Sequence, residues 1–224
     1  MNRKTLFGLT ALCLTALLNA TPLRAETSEE ELAKKSQNPV VDLISLPFQY
    51  NEDYGIGPND ATRTTLNVQP VIPISMSKEW NIIIRTIVPF IDAESSAPGI
   101  DEASGTGDIT QSFFFSPKEP VRGWIASVGP VFYYPTASHD ELGAGKWGIG
   151  PTFVVLKQES GFTYGLLANH ISSFAGDSGR QDISITFLQP FFAYTTKTYT
   201  TLALSSESTY DWKNSQWTVP IVFR

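Results

Sequence analysis

The sequence predicts an all-β fold, an antiparallel transmembrane β-barrel of the outer membrane preceded by a short N-terminal helix. Its strand-length runs are rich in β-branched and aromatic residues, and turn-forming residues bound each run. A transmembrane strand needs roughly 9–11 residues at the usual tilt, and these runs supply that length. The connectors alternate between tight turns and longer polar loops, which is the pattern of an outer-membrane barrel.

The N-terminus has the features of a secretory signal peptide over 1–25. Two basic residues precede the apolar run 6–18, and Ala25 (or Ala20) is the small residue at which cleavage is expected. The apolar run is too short to span a membrane as a helix. Cys13, the single cysteine of the chain, lies in this segment, so we expect a mature chain without cysteine.

The charge balance argues against a nucleic-acid partner. Removal of the signal peptide takes away three basic residues and no acidic one, which leaves 13 basic against 22 acidic residues, or −9. The chain has no basic patch interleaved with aromatic residues, so we expect no nucleic-acid binding. No later run approaches 18 apolar residues, and a membrane-embedded chain of this composition would therefore have to be a barrel.

Residues 26–39 are predicted to form a periplasmic helical arm. Acidic residues occupy its first turn and lysines its last, which matches the helix dipole, and Pro39 ends it. Two interpretations remain open: a solvated arm, or a segment that folds into the mouth of the barrel and restricts it.

The barrel itself is predicted over 40–224. Its ten strands are expected at 40–54, 62–76, 80–92, 108–117, 124–136, 147–158, 162–175, 183–195, 198–210 and 217–224. We place the tight connectors on the periplasmic side, at 77–79, 118–123, 159–161 and 196–197. We place the longer connectors outside, at 55–61, 93–107, 137–146, 176–182 and 211–216.

Aromatic residues at both ends of the strands separate a barrel from a soluble sandwich. A sandwich shows the same alternation along its strands, but its large aromatic residues gather mid-strand, whereas Trp and Tyr favour the two membrane interfaces. The candidate girdle residues are Trp80, Trp124, Phe162 and Tyr199 after tight turns, and Trp147, Tyr210, Trp212 and Trp217 beside long loops.

Polar residues in or near mid-strand are the candidates for the lining of the lumen. A cation at mid-depth on the lipid face costs about 2–4 kcal/mol, so such residues are expected to face inward. They would line a solute path or, alternatively, form a structural network of paired charges and amides. A barrel of 10–12 strands has a narrow interior. The candidates are Arg85, Gln111, Lys157, Asn169, Gln189 and Glu207.

Prolines interrupt six of the predicted strands. Each proline removes a donor from the hydrogen-bond ladder, so bulges or inner-side partners are expected to compensate. These prolines are Pro70, Pro89, Pro130, Pro151, Pro190 and Pro220.

His170 is the residue that most invites an enzymatic interpretation. Asn169 precedes it and Ser172 follows, a composition that suggests a Ser-His-Asn lipid hydrolase. Adjacent strand residues point to opposite faces, so Asn169 is not expected to orient His170. The only other histidine is His139, too few ligands for a zinc site. We expect no enzyme, no catalytic residue, no metal and no cofactor.

Six segments together resemble a known family: ISLPFQYNEDYGIGP, GDITQSFFFSP, WGIGPTFVVLKQ, LLANHISSFAG, FLQPFFAYTTKT and STYDWKNSQWTVPI. The family is that of the bacterial outer-membrane proteins linked to phenol meta-cleavage pathways. Its members are often labelled simply as transporters, and some are mislabelled neuromedin U. The resemblance covers about residues 30–222. Similar proteins continue with another hairpin, so it implies 12 strands with that hairpin and a C-terminally truncated barrel here.

The resemblance implies a passive channel or transporter for small, aromatic or hydrophobic molecules. It also implies export to the outer membrane of a Gram-negative cell, contact with its lipid and lipopolysaccharide, and folding by the barrel-assembly machinery. No catalytic or ligand residues come with it. Two alternatives stay open: a structural or surface-interaction barrel with a filled lumen, and an outer-membrane lipid hydrolase.

Overall fold

The computed structural model describes residues 13–16, 35, 38–40, 42–198 and 200–223 of the chain. These residues form one antiparallel sheet of fifteen strands. The all-β, antiparallel prediction is therefore confirmed. Among the described residues, no helix has the length and apolar character needed to cross a membrane.

The strands follow one another along the chain, and a short 3-10 helix lies at Asp140–Leu142. Their bounds are β1 Cys13–Ala16, β2 Leu46–Ile56, β3 Ala61–Val68, β4 Val71–Ser75, β5 Trp80–Ala93, β6 Ala103–Thr106, β7 Ile109–Pro117, β8 Trp124–Tyr134, β9 Lys146–Glu159, β10 Phe162–Gly176, β11 Ser184–Thr195, β12 Thr201–Ser206, β13 Ser208–Asp211, β14 Gln216–Thr218 and β15 Ile221–Phe223.

Each of the ten predicted strands has a counterpart in the sheet. Three of them are split in two: 62–76 into β3 and β4, 198–210 into β12 and β13, and 217–224 into β14 and β15. Strand β6 lies inside the predicted loop 93–107, where it pairs with the end of β5. The sequence did not predict β6, because its residues ASGT have the composition of a loop.

The sheet is a meander that does not close on itself. Hydrogen-bonded neighbours run in the order β1-β2-β3-β5-β7-β8-β9-β10-β11-β12-β15, with β4 and β6 on β5, β13 on β11 and β14 on β13. The closed barrel of the prediction is therefore not observed. The physical reason lies at the first edge, since β1 covers β2 with Cys13 opposite Gln49 and Ala16 opposite Leu46.

The opposite edge of the sheet is short. Strand β15 pairs with only three residues of β12, from Leu204 to Ser206. Strand β14 pairs with β13 instead. Pro220 separates β14 from β15, and Pro70 in the same way separates β3 from β4. Two of the six mid-strand prolines therefore lie at breaks between strand segments, where no ladder donor is required.

The two faces of the sheet differ in what they carry. Seven buried apolar side chains, which we call the apolar cluster, lie together on the inner face, with Ile125, Phe187 and Phe191 packed against them. The cluster consists of Val40, Val71, Ile83, Phe114, Val154, Leu156 and Leu167. Because its strand members come from β4, β5, β7, β9 and β10, the sheet curls around them.

The outer face carries large apolar side chains that are exposed. They alternate with the buried inner-face residues, as the period of two along a strand requires. The exposed set includes Trp80, Phe90, Phe115, Trp124, Val128, Phe153, Phe162, Phe192 and Leu204.

Pro130 in β8 and Pro151 in β9 lie directly opposite each other. On its other side, each proline leaves a gap in the ladder, towards β7 for Pro130 and towards β10 for Pro151. At each gap, the glycine before the proline lies close to a backbone carbonyl of the neighbouring strand. A Cβ on Gly129 would lie 1.7 Å from the Phe113 carbonyl oxygen, and one on Gly150 would lie 1.7 Å from the His170 carbonyl oxygen.

This close approach compensates for the missing proline donors. A carbonyl deprived of an N–H partner can accept a weaker contact from a Cα–H group. Only glycine leaves room for the carbonyl at this distance. The Gly-Pro pairs in β8 and β9 are thus matched features of neighbouring strands.

Two predicted segments fall largely outside the described residues. Of the arm 26–39, the structure describes Lys35, which is helical, and residues 38–39, where the Asn38 N–H donates to the Lys35 carbonyl at 3.0 Å. Of the predicted signal peptide 1–25, it describes only the backbone strand β1.

Candidate functional site

A chain of hydrogen-bonded polar side chains crosses the inner face. Arg85 donates to Gln69 Oε1 at 2.6 Å, and the Gln69 amide donates to Gln49 Oε1 at 2.9 Å. The Gln49 amide donates to the Glu207 carboxylate at 3.2 Å and 3.4 Å. The Gln189 amide donates to the same carboxylate at 3.3 Å. We call these five residues the polar belt.

The polar belt connects the first and last parts of the sheet. Gln49 lies in β2, whereas Glu207 lies between β12 and β13, 158 positions further along the chain. No strand pairing joins these two regions among the described residues. The Gln49–Glu207 contact therefore bridges the open seam of the sheet through side chains alone.

The belt has a charge at each end of its hydrogen-bond chain. Donors point in one direction, from the Arg85 guanidinium through two amides to the Glu207 carboxylate. Hydrogen bonds to ionised groups are stronger than neutral ones and have defined geometry. Gln49 and Gln69 are buried, so this part of the belt is shielded from solvent.

The apolar cluster lies next to the belt, towards the tight turns. Ile83 is three residues from the start of β5, and Leu156 is three residues from the end of β9. Arg85 follows Ile83 by two residues on the same face. The interior is thus layered, with apolar side chains at the tight-turn end and polar ones above them.

A buried carboxylate organises the third layer, at the end with the long loops. Asp108 accepts hydrogen bonds from the Tyr133 hydroxyl at 2.9 Å and from the backbone N–H groups of Ala137 and Ala144 at 3.0 Å and 2.6 Å. Three donors compensate for the burial of its charge. Asp108 therefore holds the loop 137–146 against the mouth of the interior.

An ion pair joins two of the long loops. The Lys146 ammonium, which is buried, lies 3.0 Å from the Asp182 carboxylate. This hydrogen bond and the ammonium charge hold the pKa of the Asp182 carboxyl below its ordinary value. Arg180 donates to the backbone carbonyls of Asp140 and Gly143 in the neighbouring loop. The same loops border a cleft of about 190 Å³.

The structure brings three of the six predicted lumen residues together. Arg85, Gln189 and Glu207 belong to the polar belt. Asn169 lies on the inner face as well, opposite the buried Thr152, but apart from the belt.

The other two predicted lumen residues lie on the outer face. Gln111 donates to Thr86 Oγ1 and accepts from the Tyr134 hydroxyl, both at 3.0 Å. Lys157 forms an ion pair of 2.6 Å with Glu159, at the turn that ends β9. Alternation places Gln111 outside because Ser112 and Phe114 are buried inside. Polar partners satisfy both side chains, a possibility that strand position alone did not indicate.

The predicted girdle residues that the structure describes lie at the two ends of the sheet. At the tight-turn end, Trp124 meets Tyr164 edge to face with ring centroids 6.0 Å apart. At the loop end, Tyr210 lies 4.8 Å from Trp212 and 4.9 Å from Trp217. The exposed members are Trp80, Trp124, Phe162, Trp147, Trp212 and Trp217. Tyr199 lies outside the described residues.

His170 makes its contacts on the outer face. Its Nε2 lies 3.0 Å from Ser172 Oγ, and its Nδ1 lies 2.9 Å from Thr186 Oγ1. The Trp212 indole N–H also donates to Thr186 Oγ1, at 2.9 Å. Asn169 faces inward and is not among these partners, as predicted. The His170 imidazole thus lies between two neutral hydroxyl groups, those of Ser172 and Thr186.

Sequence reasoning missed three residues of the site. Gln49 and Gln69 are belt members, and Val40 completes the apolar cluster. Gln49 lies in a predicted strand, three residues from Leu46 where the strand begins, so its face could have been assigned from the pattern. Val40 was predicted to open the first strand, 40–54, but β2 begins only at Leu46, so that part of the strand prediction is wrong and alternation does not apply to Val40.

The chain matches no family model, no curated protein and no solved structure.

Proposed function

We propose that this protein is an outer-membrane β-barrel that acts as a passive channel for small molecules. The proposed membrane location rests on pairs of neighbouring residues in which the polar side chain is buried and the apolar side chain is exposed. Ser127 is 1% exposed and the adjacent Val128 is 61% exposed; Thr152 is 2% exposed and the adjacent Phe153 is 41% exposed. In water, burial favours the apolar member of each pair. Lipid around the outer face removes this conflict.

The proposal includes closure of the sheet at the seam. Strand β1 is part of the predicted signal peptide, and its removal during export would free the edge of β2. Open edges are not stable within lipid, since unpaired backbone groups there find no partner. The Gln49–Glu207 contact already holds β2 near the terminal strands. The freed edge of β2 is therefore the strand edge that would complete the barrel.

Transport would be diffusion through a narrow interior. The polar belt supplies amide donors, one cation and one anion along the path, and these groups would set selectivity. The apolar cluster supplies a surface for the apolar part of a solute. This combination supports a small molecule with an aromatic or aliphatic body, in line with the family resemblance.

Single-channel conductance tests the channel. The protein would be purified from the membrane of an expressing Gram-negative host and reconstituted in planar bilayers in potassium chloride. Heat-modifiable gel mobility would show that it is folded. We expect discrete conductance steps that phenol, as an uncharged aromatic probe, reduces. A folded protein that never conducts would contradict the channel.

A structural barrel with a filled interior is the second candidate function. It is favoured by the burial of Gln49, Gln69 and the apolar cluster, which leaves the interior crowded. Such a barrel would act through its external loops, which Asp108 and the Lys146–Asp182 pair hold in place. Silent bilayers with an intact heat-modifiable fold would favour this candidate.

A lipid hydrolase is the third interpretation, and the His170 cluster provides its test. A serine hydrolase needs a nucleophilic serine that is hydrogen-bonded to a general base, and a third group that orients that base. Ser172 and His170 meet the first requirement, but the third position holds Thr186, which already accepts from Trp212. We expect no esterase activity and no fluorophosphonate labelling. Labelling that Ser172→Ala abolishes would contradict a non-enzymatic role.

A further inference from the structure

Val40 fills a position in the interior that no strand residue occupies. It is 2% exposed and packs in the apolar cluster with side chains from β4, β5, β7, β9 and β10. Ile44, four residues later in the same segment, is by contrast 63% exposed. The segment before β2 therefore inserts one apolar side chain into the tight-turn end of the interior.

Among residues 38–40 and 42–45, which the structure describes, the backbone hydrogen bonds lie at the two ends of the segment. The Val40 N–H donates to Asn38 Oδ1 at 2.9 Å, a contact within the segment itself. Ser45, at the end of the segment, exchanges two backbone hydrogen bonds with Val71, at 2.9 Å and 3.1 Å. Residues 38–40 lie outside the ladder of the sheet, so their displacement requires no strand pair to break.

We propose that residues 38–40 are a gate, in which Val40 closes the tight-turn end of the interior by filling an apolar site that a solute must enter. This inference rests on the proposed channel function and names its regulation. Val71, Ile83 and Phe114 belong to the same apolar cluster as Val40. Two residues beyond Ile83 on the same face, Arg85 begins the polar belt.

The gate and the solute would compete for one site. A molecule with a compact apolar body fits the chemistry of the cluster, and one hydrogen-bonding group fits the amides of the belt above it. Burial of a single valine side chain stabilises the closed state only modestly. It favours the closed over the open state by on the order of 10- to 100-fold. Such a bias is weak enough for the segment to leave without unfolding of the sheet.

Substitution of Val40 by a carboxylate tests the gate. Asp at this position is disfavoured within the apolar cluster, so it should expel the segment. The matched control is Val121→Asp, since Val121 lies at the same end of the sheet, in the turn after β7, and is 65% exposed. We expect Val40→Asp to raise the open fraction of single channels by on the order of 10-fold or more, and Val121→Asp to leave it unchanged.

Thiol accessibility provides a second measurement that does not depend on conductance. In a Cys13→Ser background, Val40→Cys and Val121→Cys each carry a single thiol. We expect maleimide to label Val40→Cys at least 10-fold more slowly than Val121→Cys, as burial of Val40 requires. Equal labelling rates in the folded protein would overturn the gate.

The conductance outcomes separate the gate from the channel. If wild-type protein conducts and Val40→Asp has the same open fraction, the gate is overturned and the channel stands. If folded wild-type and Val40→Asp proteins are both silent, the proposed function is overturned together with the gate. If Val40→Asp has a higher open fraction than the wild-type protein and Val121→Asp does not, the gate and the channel are both supported.

Discussion

An arginine at Val128 distinguishes lipid from water at the outer face. Val128 is the fifth residue of the eleven-residue strand β8 and is 61% exposed. Val121 is 65% exposed and lies in the turn before the same strand. The variants Val128→Arg and Val121→Arg thus make the same substitution at nearly equal exposure and differ in position along the strand.

The expected cost follows from depth in the membrane. Val128 lies four residues beyond Trp124, which at about 3.3 Å per residue and a tilt of about 45° is roughly 9 Å below the tight-turn girdle. The apolar band of an outer-membrane barrel is about 25 Å tall, so this position is near its centre. An arginine there costs about 2–4 kcal/mol, and one at the turn about 0–1 kcal/mol.

Equilibrium unfolding in lipid vesicles measures this difference. Tryptophan fluorescence would follow denaturant unfolding of the wild-type protein and both variants under the same conditions. We expect Val128→Arg to lower the free energy of unfolding by about 1–4 kcal/mol relative to Val121→Arg. Ordinary surface substitutions on a soluble protein change it by about 0.5 kcal/mol or less. If the two variants agree within that range, the outer face meets water and the membrane proposal is wrong.

Three further predictions follow from the inner face, the strand backbone and the loops. Gly129→Ala should lower the free energy of unfolding by about 1–3 kcal/mol, as overpacking does, while Gly179→Ala, whose Cβ would lie no closer than 3.4 Å to its neighbours, should be near neutral by the same unfolding assay. A double-mutant cycle of Gln49→Ala and Glu207→Ala should give a coupling of about 1.5 kcal/mol, and a coupling near zero would contradict the contact across the seam. Because the folded pKa of Asp182 is lowered, its contribution is present above the unfolded value of about 3.9 and is lost as pH falls through the folded pKa. Unfolding titrated from pH 6 to pH 3 should thus show an acid-side loss that Asp182→Asn lacks.

The strands were predictable because their signal is local. Turn formers and apolar runs gave each of the ten predicted strands a counterpart in the sheet, and alternation predicted the inward orientation of Arg85. Gln111 and Lys157 were assigned to the inner face from their polarity alone, whereas the alternation of buried neighbours places both on the outer face. A glutamine paired to Thr86 is tolerated where an unpaired one would not be.

The rest of the site depends on long-range contacts that a single sequence does not encode locally. The Gln49–Glu207 contact joins residues 158 positions apart, and Val40 reaches the interior from a segment that was predicted as strand but precedes β2. Strand periodicity says which face a residue occupies but not what lies across the interior from it. The polar belt and the apolar cluster therefore emerge only when the curvature of the sheet is known.

The mid-strand prolines show how a local conflict with sheet structure can be resolved by pairing. Each proline lacks the N–H group that its neighbour needs, and a continuous sheet offers no free edge to hide this defect. Because Pro130 and Pro151 lie directly opposite each other, the N–H groups that they lack would have pointed outward from the pair, towards β7 and β10. The preceding glycines then let the unpartnered carbonyls approach the backbone. Replacement of Gly129 should therefore weaken the pairing of β8 with β7, and replacement of Gly150 the pairing of β9 with β10. Each proline is tolerated in its strand only together with the glycine before it.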